Sequence, residues 1–160
     1  MYKSRARRWS VVAVVVGACA LAGTAGATTP QEAQGQSFLL NRVVTSVQQA
    51  GPNTILTIVD TRLYVRTISG TSVDTLTVTV DASGGFGFHG TSLCSCAIAG
   101  HPGTVVMTIN GKGQPDGTFA DRRETLAASA TGAPDGVRLN VSVAGVGGVG
   151  QYAGGYHFEG

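Results

Sequence analysis

The sequence predicts an all-β protein, and three observations carry that expectation. Apolar residues recur at every second position through several long runs, the period of a strand with one covered face. Beyond the first thirty residues the chain is rich in Gly, Thr and Val and poor in charge, with 24 glycines and only 12% charged residues in the whole sequence, a mixture that favours strands and tight turns. Short clusters of Gly, Pro, Asn and Asp separate the runs, as they do between hairpin strands.

The first residues belong to something else. MYKSRARRWS is basic, VVAVVVGACALAG is a short apolar run, and Ala25-Gly26-Ala27 is a small-residue cleavage site; together these are the parts of a secretory signal peptide. Residues 1–27 are therefore set apart from the fold, and a secreted, extracellular product is expected. Arg7-Arg8 resembles a twin-arginine signal but lacks the following apolar residue, which favours the general secretory route. Val16-Gly17-Ala18-Cys19 resembles a lipobox, so lipid anchoring at the cell surface through Cys19 stands as the alternative. The apolar run is too short to span a bilayer and no comparable run follows it, so no membrane span is expected.

Removing the leader changes the charge balance. The net charge of +2 includes Lys3, Arg5, Arg7 and Arg8; without them seven basic residues face nine acidic ones, giving −2. No basic run remains, which argues against a nucleic-acid partner. About 133 residues are left, enough for one domain.

Residues 28–37, beginning TTPQEAQGQ, are polar and read as a flexible leader to a domain at 38–160. FLLNRVVTSV, from Phe38 to Val47, fits a helix face as well as a strand; its valines and Thr45 favour the strand. After Gly51-Pro52-Asn53 comes TILTIVDTRLYVR, in which Leu63 and Val65 alternate with Arg62, Tyr64 and Arg66. In an open sheet that polar face would be wet, whereas in a closed barrel it would point inward. Leu76, Val78 and Val80 then alternate with threonines, and Val137, Leu139, Val141 and Val143 alternate with polar residues near the end. A short last strand is expected at 155–159.

The centre of the chain is GGFGFHGTSLCSCAIAGHPGTVVMTINGK, Gly84 to Lys112, which reads as a hairpin turning at Gly100-His101-Pro102-Gly103. Phe86, Phe88, Cys94, Cys96 and Ile98 share one parity, and His89 has the other. The spacing His89-x4-Cys94-x-Cys96-x4-His101 has the soft ligands that zinc or cuprous ion prefers. Strand alternation turns His89 away from the cysteines, so no metal is expected. Export favours a disulfide, yet Cys94 and Cys96 lie two apart on one strand, about 6.5–7 Å between Cα atoms and at the limit of disulfide reach. A locally distorted bridge and a link between subunits of a homo-oligomer are the two alternatives.

The strand from Thr118 carries Asp121, Arg122, Arg123 and Glu124, with Arg122 and Glu124 on one face and Asp121 and Arg123 on the other. Arg122 and Glu124, with Tyr64 and Arg66, are the candidate polar residues lining a barrel interior; the competing reading is an exposed ion pair. No GxSxG, HExxH, P-loop or paired-carboxylate motif is present, so hydrolysis and phosphate chemistry find no support. No catalytic set and no cofactor site can be named.

The tail Gly147-Gly148-Val149-Gly150-Gln151-Tyr152-Ala153-Gly154-Gly155-Tyr156 resembles the GGTGxFxxAxGx segment of dirigent proteins and allene oxide cyclases, with Val149 in place of Thr and Tyr152 in place of Phe. The resemblance implies one eight-stranded antiparallel β-barrel, similar to small secreted bacterial members of that superfamily, with Gly147, Gly148 and Gly150 as a structural corner. Catalytic residues of those families match no position here, and none is carried over. The expected function is binding of a small apolar molecule in the barrel. A cofactor-free cyclase or isomerase, and a structural or surface interaction protein, are the alternatives.

Overall fold

The computed structural model describes residues 29–126, 129–132, 134 and 136–159. The expected signal segment and Cys19 lie outside the described residues. Among the described residues nine strands follow in order: β1 (Gln31–Ala50), β2 (Asn53–Arg66), β3 (Ile68–Val80), β4 (Phe86–Ile98), β5 (His101–Gly113), β6 (Thr118–Thr125), β7 (Thr131–Gly132), β8 (Val137–Val146) and β9 (Val149–Phe158). All pairings are antiparallel, and β1 pairs with both β2 and β9. Eight strands therefore close into a barrel, and the two-residue β7 is added beside the start of β5.

The stagger of the barrel follows from the register. Cross-strand neighbours run from Val43 through Val59, Thr75, Thr91, Thr108, Glu124, Asn140 and Gly155, and return to β1 at Glu32, eleven residues before the starting point. Such a shear tilts the strands steeply and opens an interior wide enough for large side chains.

Alternation decides which residues enter it. Leu76 and Val78, Phe88, Cys94, Cys96 and Ile98, Val105, Met107 and Ile109, and Val137, Leu139, Val141 and Val143 are all buried, on the faces expected from period two. Gly90 introduces no bulge, since β4 keeps one register with both neighbours. The hairpin turn lies one step earlier than expected, at Ala99 and Gly100, both with positive φ, and His101 and Pro102 already belong to β5.

Two boundaries differ from expectation. Residues 31–37, read from their polarity as leader, form the first part of β1 and pair with β9. Their inward residues, Ala33 and Ser37, are small, which is why no apolar alternation marks the strand. The last strand begins at Val149 and not near Gly155, because its glycines lie within the ladder.

Strand β1 runs past the start of β9. Beyond Phe38 and its partner Val149, β1 pairs with β2 alone, with bulges between Leu39 and Asn41 and between Val44 and Ser46. The β1–β2 hairpin thus projects as a lip at one end of the barrel.

Candidate functional site

The lumen is layered. One apolar cluster, including Ile68, Cys96, Ile98, Met107, Leu139, Val141 and Tyr156, fills one end. A second, of Ile58, Leu76, Val78, Phe88 and Ile109, fills the end under the lip. Charged side chains from β2, β3 and β6 occupy the space between: Asp60, Arg62, Asp74, Asp121 and Arg123 are all buried.

Arg123 is the hub. Its Nε and Nη2 donate to the two carboxylate oxygens of Asp121 at 3.0 and 3.3 Å. Its Nη1 donates to Asp74 Oδ2 at 2.9 Å and to the Tyr64 hydroxyl. Asp74 Oδ1 accepts from the Ser72 hydroxyl at 2.7 Å. Asp60 and Asp74 are direct cross-strand neighbours, an unfavourable pairing of like charges. Each is neutralised separately: Asp60 accepts a two-pronged contact from Arg42 at 2.8 and 2.7 Å, and Asp74 takes Arg123 and, at 3.7 Å, Arg62. Arg62 also lies over the Phe119 ring, 5.7 Å from its centroid, and donates weakly to Ser37 and to the Gly148 carbonyl. Among the described residues, Arg62 Nε and Ser92 Oγ are buried with no hydrogen-bond partner.

Burial and charge set the proton affinities. Burial alone would push the Arg123 guanidinium down, but the oxygens of Tyr64, Asp74 and Asp121 outweigh it and hold the group above its ordinary range. Burial pushes the Tyr64 phenol up to about 12, partly opposed by Arg123. Tyr64 therefore stays a neutral phenol at physiological pH.

The expected lining residues divide. Tyr64 faces the lumen, so the polar face of β2 is its inward face. Arg66 shares its parity but is exposed, because its φ of +86° turns the end of the strand outward. The Tyr152 hydroxyl braces that turn, accepting from the Ile68 N–H at 2.8 Å and donating to the Val65 carbonyl at 2.9 Å. Arg122 and Glu124, candidates for the lumen with an exposed ion pair as the competing reading, project from the outer wall as that exposed pair, at 2.7 Å with side chains 61% and 48% exposed; Asn140 bonds to both. The lumen positions of this strand are held by Asp121 and Arg123, on its other face.

The signal that finds the lumen residues was present in the sequence. Asp60 shares parity with Ile58, and Asp74 with Leu76 and Val78, so each is a charge on an apolar face. Only partners from distant strands make those positions tolerable.

Cys94 and Cys96 are joined as a disulfide within β4, facing the lumen, with their Cα atoms drawn in to 5.4 Å. His89 is exposed on the opposite face, so the histidine and cysteines do not converge. Among the described residues no group of three or more His, Cys, Asp and Glu could hold a metal ion, and no helix is long and apolar enough to cross a membrane. Gly147 and Gly148 form the β8–β9 turn with positive φ. Gly150 is buried where an added Cβ would meet Val143 at 2.8 Å and Ser37 at 3.1 Å.

Two grooves mark the outer wall. One, of about 530 Å³, is lined by Gln34, Gln36, Arg66, Ser142, Ala144 and Gln151 among others. The other, of about 520 Å³, is lined by His89, Thr91, Thr108, Asn110, Arg122 and Glu124 among others. Arg66 and the Arg122–Glu124 pair thus border outer grooves and not the lumen.

No family model matches the chain, and no curated protein matches it. Among solved structures, the chain is similar to a protein of unknown function from the DUF3224 family of Shewanella oneidensis MR-1, with a TM-score of 0.66 and 14% sequence identity over 82% of this chain and 99% of that one. At that identity the likeness is one of fold.

Proposed function

We propose that this chain is an exported, non-catalytic interaction protein whose barrel lumen serves as its core and whose outer surface and projecting lip make its contacts. The observation that carries this reading is the occupied lumen. Arg123, Tyr64, Asp74 and Asp121 are buried and bonded to one another, with apolar clusters on either side. A lumen that binds a small molecule needs roughly 300 Å³ or more of shaped space, and both grooves of that size described above lie outside. Export rests on the leader at residues 1–27, with lipid anchoring through Cys19 as its alternative form.

A second reading, binding of a small apolar molecule, is favoured by the lip. Val44 and Val47 stand opposite Ile58 and Leu56 and extend the inner apolar face beyond the barrel, half-exposed. The resemblance of the tail to dirigent proteins and allene oxide cyclases points the same way. The ligand would then lie at the open end, above Phe88 and Ile109. A cyclase or isomerase would further need Tyr64 or Arg123 to reach its substrate, and both are held by Asp74 and its neighbours.

Native mass spectrometry of the protein from its own culture medium, followed by a denaturing run, tests the proposal. The expected result is the mass of the chain from Thr28 with nothing bound. A small molecule released on denaturation would overturn it in favour of the second reading, and a lipid on Cys19 would fix the anchored form.

A further inference from the structure

The longest unpaired backbone edge among the described residues belongs to β1. Its pairing with β9 ends at Phe38 and Val149, and the Leu39 N–H makes one last contact with the Gly148 carbonyl at 2.9 Å. Residues 40–50 then pair with β2 on one side and with nothing on the other. We infer that this edge joins two copies of the chain, β1 of one protomer running antiparallel to β1 of its partner about a two-fold axis. This names the partner for the surface-acting reading above and rests on it.

The backbone specifies a peptide partner. Alternate N–H and C=O groups along a free strand edge point outward, and another strand satisfies them where a lipid or small apolar molecule does not. The side chains specify coverage of both faces. Val43, beside Val59, lies on the outer face, Val44 and Val47 lie on the inner face, and Leu40 stands in the first bulge. They are 48%, 49%, 62% and 57% exposed respectively. A strand meant to stay wet on one face alternates apolar with polar residues; this one exposes apolar side chains on each, Val43 among Asn41, Ser46 and Gln48 on the outer face and Val44 with Val47 on the inner.

Charge selects a second copy. The segment has neither the Lys nor the Pro that usually protects a free edge. Its single charge, Arg42, is bound to the buried Asp60. The fitting partner strand is therefore one without an unpaired charge and with Val and Gln prominent, which describes residues 40–50 themselves. An isologous pairing brings no unneutralised like charges together. The two bulges leave straight segments at 41–44 and 46–50 for the ladder. Eleven residues extend about 36 Å, which places the contact near the lower end of stable interfaces, roughly 1,200 Å² in total. Association should therefore depend on concentration.

Sedimentation velocity of the leaderless protein over a wide concentration range tests this. The expected result is a shift from one chain to two as concentration rises. Val43→Lys on the outer face and Val47→Lys on the inner face should each raise the dissociation constant by more than about tenfold, with unchanged far-ultraviolet circular dichroism. If either variant fails to fold, hydrogen exchange of the unaltered protein decides: amides within 41–49 should gain protection as the dimer forms. A single-chain mass throughout overturns the inference, as does a dimer whose edge amides stay unprotected. A ligand-free monomer would remove the dimer and leave the surface reading standing. A ligand-loaded dimer would do the reverse.

Discussion

Arg123 on β6 donates to Asp74 on β3 at 2.9 Å across the lumen, and neither side chain reaches solvent. Two strands that are not neighbours in the sheet are thereby tied through the interior. The tie is conditional: a buried ion pair gains little over a well-packed apolar pair, whereas losing one partner leaves a charge stranded away from water.

Asp74→Ala should accordingly destabilise the protein by about 3–5 kcal/mol, because it leaves the buried Arg62 without the carboxylate it pairs with and Arg123 with Asp121 as its one remaining carboxylate. Arg122→Ala, one position from the hub but on the outer wall, should cost less than about 1 kcal/mol. Urea unfolding of the two variants beside the unaltered protein makes the comparison. Equal losses would contradict the assignment of the two faces of β6.

Tyr64 gives a pH signature. Its phenol is raised from 10.0 to about 12 by burial, so the folded state keeps a proton that the unfolded chain releases first. The corresponding stability is fully present below pH 10 and is lost as pH rises towards 12. Unfolding free energies measured at about pH 9 and about pH 11 should fall more steeply for the unaltered protein than for Tyr64→Phe. Parallel slopes would mean that the phenol is not sealed in the lumen.

Gly35 sits where β1 passes the brace at the end of β2. A Cβ there would meet the Val65 carbonyl and the Tyr152 hydroxyl, the two atoms whose hydrogen bond holds the turn at Arg66. Gly35→Ala should cost about 1–3 kcal/mol by overpacking. Combined with Tyr152→Phe, which removes the hydroxyl, the losses should be less than additive in thermal melts. Full additivity would separate Gly35 from the brace.

The strands from β3 to β5, and β8, were legible because most of their inward residues are aliphatic, aromatic or cysteine, Ser72, Asp74 and Ser92 apart, and many of their outward ones are threonine, serine or asparagine. The opening of β1 was not, since it fills its inward positions with Ala33 and Ser37 and leaves no contrast to read. On β6 the sequence left both readings open for a related reason. Both faces of residues 121–124 carry one acid and one base, and only Asp74, 49 positions away from Arg123, decides which pair turns inward. Arg66 escaped because one left-handed residue cancels the parity of its strand, and that conformation depends on Tyr152, far off in β9.

The closing seam of the barrel has a consequence for the order of events in folding. From β1 to β5 each strand pairs with its successor in sequence, and these hairpins can form as soon as their residues exist. The seam instead joins Gln31 to Tyr156, 125 positions apart, and pairings of such separation are entropically costly and slow. A chain delivered N-terminus first must hold the opening half of β1 without its second neighbour until β9 arrives. The earliest strand to emerge is thus the last to be completed, and any chaperone that guards this chain has residues 31–38 to protect throughout.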